Sequence, residues 1–110
     1  MGQLINGIWH KVDTNLKKED GTFKRENAVF RNWISNNKGS EFIPESGRYH
    51  LYVSHACPWA HRTLIFRVLK NLESHISVDV VHPEMLENGW AFNTDFPEAT
   101  GDRIYKKNFL

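Results

Sequence analysis

Apolar positions fall into two textures along this chain. Up to residue 48 they are scattered, with aromatic punctuation at Trp9, Phe23, Phe30 and Trp33 in polar, turn-rich sequence. From Tyr49 they gather into short periodic runs. Tyr49 to Val53, bounded by Ser46-Gly47 and Ser54, predicts a strand. Pro58 to Leu72 predicts a helix, because Ala60, Leu64, Val68 and Leu72 recur every fourth residue and Ile65 and Leu69 widen the ridge. Ile76 to Val81, rich in β-branched residues, predicts a second strand. Strand, helix and strand within about 30 residues make a βαβ unit, whose strands run parallel through a right-handed crossover.

The flanks are less regular. Phe30, Trp33 and Ile34 share one face by the i, i+3, i+4 rule, which predicts two helical turns over 27–35, closed by Asn36-Asn37-Lys38-Gly39-Ser40. The spaced aromatics are expected to anchor this extension on a neighbouring core. Asp20-Gly21 marks a turn. His82 to Phe92 is expected to be a loop with a short helical turn, and Phe96-Pro97 and Thr100-Gly101 continue the irregular character. A single βαβ unit has two strands and one helix, and a stable sheet generally needs a third strand or further cover. The expected fold is therefore α/β, the βαβ half of a larger sheet domain, with residues 1–48 as a long irregular extension and 49–110 as the sheet-forming part.

Composition narrows the function. The chain has 110 residues and a net charge of +1, with no basic block beyond Lys17-Lys18 and Lys106-Lys107. Phosphate neutralisation needs a concentrated basic face, so no nucleic-acid partner is expected. No apolar run approaches the ~20 residues that span a bilayer. Met1 to Gly7 lacks the basic-then-apolar order of a secretory signal, and Asn6 stands where a myristoylation motif has Ser or Thr. No membrane partner is expected. Without paired cysteines or a His-x3-His spacing, and with the histidines scattered, no metal is expected either. The lone cysteine suits a reducing compartment, and the cytoplasm is the expected location.

That cysteine is Cys57, in Ser54-His55-Ala56-Cys57-Pro58-Trp59-Ala60-His61-Arg62, where the first strand turns into the helix. A helix N-terminus presents unsatisfied N–H groups and about half a positive charge, which favours a thiolate, the attacking form of sulfur. Pro58 fits the first helical position, where its missing N–H costs nothing. Free cysteine is usually a small buried apolar residue, but this placement puts it on a lip at the carboxyl end of a strand, where open parallel sheets carry their chemistry. A dithiol motif needs a second cysteine three residues on, and Ala60 stands there. An adduct on Cys57 must therefore be resolved by an external thiol, with glutathione the abundant candidate. His61 is four residues along the helix on the same side, and Arg62 is near; neither is assigned a catalytic role. Trp90, in Glu87-Asn88-Gly89-Trp90, reads by itself as a loop anchor, with a ligand-capping indole as the sharper alternative.

The run from Tyr49 through Cys57-Pro58-Trp59-Ala60-His61-Arg62 to Ile65 closely resembles the xi-class glutathione transferases, the glutathionyl-hydroquinone reductases. The resemblance extends to Gly2-Gln3-Leu4, Gly7, Trp9, Phe30-Arg31-Asn32-Trp33 and the stretch from Met85-Leu86-Glu87-Asn88-Gly89-Trp90 to Ala99-Thr100-Gly101-Asp102. It implies a thioredoxin-like N-terminal domain, a helical C-terminal domain and a homodimer that uses glutathione as co-substrate to deglutathionylate glutathionyl-hydroquinones. Cys57 matches the catalytic cysteine, which forms a mixed disulfide with glutathione. Trp90 matches a tryptophan lining the glutathione site. Family members are much longer. No proline here stands in the Val-Pro context of their cis-proline, Glu45-Ser46 and Glu73-Ser74 lie before the second strand rather than after it, and the helical domain is absent. The expectation is a truncated piece, the first half of the thioredoxin-like domain, with the nucleophile but most of the binding site missing and little activity alone. The alternatives are an omega-like transferase acting on other conjugates, and a non-catalytic module pairing its sheet edge with a partner.

Overall fold

The computed structural model describes residues 2–11, 21 and 27–110. Two compact units are formed, one of Met1–Val12 with Glu45–Leu110 and the other of Asp13–Pro44.

The centre of the first unit is the expected βαβ arrangement. Strand β3 (Tyr49–Val53) leads into helix α1 (Pro58–Leu69), which returns to β4 (Ile76–Val80). The two strands are parallel, with Tyr49 opposite Ile76 and Val53 opposite Val80. The Val81 amide donates to the Val53 carbonyl at 2.9 Å and extends the ladder by one residue. Val53, Val80 and Val81 are the buried hydrophobic residues among those described.

The helix ends at Leu69 rather than Leu72, and the reason is local. Asn71 adopts a left-handed conformation with φ 54°. Its amide donates to the Val68 carbonyl, and the Leu72 amide reaches back to that of Arg67. These paired bonds form a Schellman stop, for which Asn is one of the few suitable non-glycine residues. The anticipated apolar ridge is only partly covered. Ala60 and Leu64 are half-buried, whereas Ile65, Phe66, Val68 and Leu69 are exposed. Arg67 is the better-covered neighbour, because its guanidinium bonds the carbonyls of Glu73 and Ile76 and ties the helix end to the start of β4.

The third strand that a two-stranded sheet lacks is replaced by a loop. Along the outer edge of β4 the Thr100 amide donates to the Val80 carbonyl at 3.0 Å. The Val80 amide donates to Thr100 Oγ1 at 2.8 Å. Arg103 donates to the Val78 carbonyl. An open edge exposes unpaired backbone groups, and residues 100–103 satisfy these. Asp79, fully buried on β4, anchors the same loop. Its carboxylate accepts from the Arg103 amide at 2.8 Å, the Arg103 guanidinium and Thr100 Oγ1. His50 Nε2 lies 3.3 Å away, while His50 Nδ1 is 2.6 Å from Ser77 Oγ across the strand pair. Burial alone would raise the Asp79 pKa, but the Arg103 bonds and charge, with His50, outweigh it and hold it below the usual value. Asp102 closes the loop that follows by accepting from the amides of Ile104, Tyr105 and Lys107 and from the Tyr52 hydroxyl. Those four donors overcome burial and bring its pKa down from 3.8 to about 2.

Two antiparallel hairpins depart from the expected irregularity. Strands β1 (Gly2–Ile5) and β2 (Ile8–Lys11) pair with Ile5 opposite Ile8. Their two-residue turn has positive φ at both Asn6 and Gly7, the mirror-image turn for which Asn-Gly is favoured. Strands β5 (Met85–Leu86) and β6 (Gly89–Trp90) replace the anticipated helical turn, with Met85 opposite Trp90.

In the second unit no helix or strand occurs among the described residues. The predicted helical turns over 27–35 are absent, and Phe30 and Trp33 are exposed. A three-position apolar face stabilises a helix only when something covers it. A turn over 35–42 is closed instead by the Ser35 amide donating to the Phe42 carbonyl at 2.8 Å. Asp20 and Phe23 lie outside the described residues.

Candidate active site

Cys57 is the N-cap of α1, with φ −97° and ψ 113°, and Pro58 follows at the first helical position. Its carbonyl accepts the first intrahelical bond, from the His61 amide at 3.0 Å. The turn delivering it is built by Ser54, which is buried. The Ser54 carbonyl accepts from the Cys57 amide, and Ser54 Oγ accepts from the Ala56 amide at 3.2 Å. The thiol is half-buried and free, its side chain makes no capping bond, and no acidic residue occupies the first helical turn. The positive end of the helix dipole therefore meets the sulfur without a competing carboxylate.

Two neighbours of Cys57 have found partners. His55 Nδ1 is 2.7 Å from Glu98 Oε2, which links the cysteine turn to the segment leading into Thr100. The Arg62 guanidinium stacks on Trp59, 5.1 Å from the ring centroid. His61 is exposed and shares with His55 and Leu64 a shallow cavity of about 250 Å³ at the start of the helix. Among the described residues no group of three or more His, Cys, Asp or Glu is arranged to hold a metal. No helix of the described residues is long and apolar enough to cross a membrane.

Trp90 is half-buried on β6. Its carbonyl accepts from the Leu110 amide at 2.9 Å, and the next residue, Ala91, bridges to Phe109. Cys57 follows β3, and Trp90 follows β4 through the His82 amide, which bonds the Ala91 carbonyl. Both thus lie beyond the carboxyl ends of the parallel pair. No hydrogen bond or ring contact joins them among the described residues. Glu98 and the Asn6-Gly7 hairpin lie outside the expectations drawn from the sequence. The second had a legible signal, an Asn-Gly pair between apolar pairs; an exposed glutamate 43 residues from its histidine had none.

A strand–helix–strand unit with its thiol at the helix N-cap defines the opening of a thioredoxin-like glutathione transferase fold, and the solved relatives agree. The glutathione S-transferase Xi from Phanerochaete chrysosporium superposes with a TM-score of 0.79 at 54% identity, over 84% of this chain and 30% of that one. The glutathione-bound structure of YqjG, a glutathione transferase homologue from Escherichia coli K-12, superposes with a TM-score of 0.75 at 50% identity, over 98% of this chain and 31% of that one. In sequence, the glutathionyl-hydroquinone reductase YqjG of Escherichia coli K12 is 54% identical over the whole of this chain and 35% of its own length. The chain thus spans about a third of the curated relative it matches. No protein-family model matches the chain. The chain corresponds to the N-terminal part of the xi-class glutathione transferases, the family that includes the glutathionyl-hydroquinone reductases.

Proposed function

We propose that the protein carrying this sequence is a glutathione-dependent reductase that removes glutathione from glutathionyl-hydroquinones, with Cys57 as the nucleophile. The observation that carries this reading is the thiol at the N-cap of α1, followed by Pro58 and uncontested by any acidic residue in the first turn. The Cys57 thiolate attacks the glutathionyl sulfur of the conjugate. The carbon–sulfur bond to the ring breaks, its electron pair stays on the ring carbon, and that carbon takes a proton. The products are the hydroquinone and a Cys57–glutathione mixed disulfide. A second glutathione thiolate attacks the glutathione sulfur of that disulfide, forming glutathione disulfide and freeing Cys57. Because Ala60 occupies the position where a resolving cysteine would stand, the second thiol comes from solution.

Trp90 lines the glutathione site in this reading, its indole offering a flat face and one N–H donor. Residues 1–48 act as an extension and 49–110 as the first half of the thioredoxin-like domain. The working assembly is a cytoplasmic homodimer that needs the remainder of the fold for its acceptor pocket, so this piece alone has little turnover. Glutathione bound to the YqjG homologue supports the choice of thiol.

Replacing Cys57→Ser in the full-length protein should abolish deglutathionylation of a glutathionyl-hydroquinone. Mass spectrometry of the parent after exposure to the conjugate should show one glutathione on Cys57, removable by excess thiol. Turnover retained in the serine variant would overturn the assignment. Greater kcat/KM on small mixed disulfides than on hydroquinone conjugates would favour an omega-like transferase instead.

A further inference from the structure

The N-terminal hairpin converges on the turn that presents Trp90. Trp9, on β2, lies across its own hairpin so closely that a Cβ on Gly2 would come within 2.6 Å of the indole. The far edge of the ring reaches the second hairpin, where a Cβ on Gly89 would stand 3.4 Å from Trp9 Cη2. Gly89 has φ +84°, a conformation that side chains rarely adopt, and it directly precedes Trp90. Two residues along β2 from Trp9, Lys11 pairs with Glu87 in the same turn. Trp9 and Asn88 also share a cavity of about 390 Å³ with Leu4, Phe109 and Leu110. The Leu110 amide in turn holds the Trp90 carbonyl. The turn before Trp90 is thus held from the N-terminal hairpin, and its carbonyl from the last residue.

The chemistry of Trp9 says which part of it matters. Its Nε1 is buried with no hydrogen-bond partner among the described residues, and an unmade bond at a buried donor is a cost, not a gain. The apolar ring edge at Cη2, not the N–H, is what reaches the turn. The Lys11–Glu87 pair is exposed on both sides, and such pairs contribute little. We infer that Trp9 is a positioning residue for the glutathione site, its indole packed on Gly89 fixing the turn that aims Trp90.

This inference rests on the proposed role of Trp90, so its test separates the two. Glutathione binding is measured calorimetrically on the full-length protein, with steady-state kinetics on a glutathionyl-hydroquinone and thermal melting alongside. Trp90→Ala should weaken glutathione binding; if it does not, the role of Trp90 itself fails. If it does, Trp9→Ala should raise the KM for glutathione on the order of ten-fold, as small misplacements of binding groups do, with kcat nearly unchanged. Trp9→Phe should bring the KM part of the way back, because its single ring lacks the unpartnered N–H but stops short of the indole Cη2 that reaches Gly89. Lys11→Ala should leave KM near the parent value. Parent-like binding in Trp9→Ala overturns the inference. So does an equal loss of kcat and melting temperature that Trp9→Phe fails to rescue, since the residue would then be a general packing element.

Discussion

The outer edge of β4 and the outer face of α1 belong to the same βαβ unit and are treated in opposite ways. The β4 edge is polar and closed, with its backbone bonded by residues 100–103 and its buried Asp79 tied to Thr100, Arg103 and His50. The α1 face is apolar and open, with Ile65, Phe66, Val68 and Leu69 exposed. A cavity of about 350 Å³ runs along that face, lined by His61, Leu64, Ile65, Val68 and Leu69. Among the described residues, three valines supply the buried hydrophobic core. With so little apolar burial, directional bonds to carboxylates take over the task of holding chain segments in place, and they do so on one side only. Cys57 sits where the two regimes meet. The turn before it is built by buried Ser54 and tethered through His55 to Glu98, on the polar side, while the helix it caps opens onto the apolar side.

The sharpest way to break this contrast is to remove Asp79. Asp79→Ala leaves the Arg103 amide without its acceptor and the Arg103 guanidinium without its carboxylate, and should destabilise the chain by about 2 kcal/mol, the scale for a donor left unsatisfied. Chemical denaturation measures it, and an unshifted midpoint would mean that the loop is held by other means.

A milder perturbation is acid. Asp102 titrates near 2 when folded against a usual 3.8, and Asp79 is depressed as well. A depressed carboxylate contributes stability that is complete above its unfolded pKa and is lost as pH falls through the folded one. Unfolding midpoints should therefore be flat above about pH 5 and fall between about pH 4 and pH 2. Asp102→Asn should flatten that fall. An unchanged acid limb in this variant would assign the loss to other carboxylates.

The smallest effect should come from the open face. Val68→Lys and Leu69→Lys should each change the stability of this chain by less than about 0.5 kcal/mol, as surface substitutions do. A loss several times larger would show the stripe to be covered in solution.

Much of the central unit was legible locally. Strand β3 has both ends where the apolar pattern puts them, and β4 and α1 begin where it does. The Cys57-Pro58 step placed the thiol at the N-cap. Misreadings arose where a local pattern depends on a distant surface. Phe30, Trp33 and Ile34 have helical spacing but no cover, and no helix forms among the described residues there. Thr100-Gly101 has an irregular pattern, and the order of residues 100–107 comes from two aspartates, one of which lies on another element.

By itself the sequence determined the strand–helix–strand core and the position of Cys57 at a helix mouth, while the helix stop at Asn71 was a local signal that the apolar ridge to Leu72 masked. Each of these depends on interactions within a few residues, where periodicity, a proline ring or a left-handed asparagine decides the outcome. Only the tertiary structure decided that Thr100–Arg103 would close the edge of β4, that Glu98 would hold His55, and that Trp9 would lie against Gly89 beside Trp90. Those pairs are separated by long stretches of chain. Their meeting depends on the whole fold bringing matched donors, acceptors and surfaces together, and no local pattern encodes that.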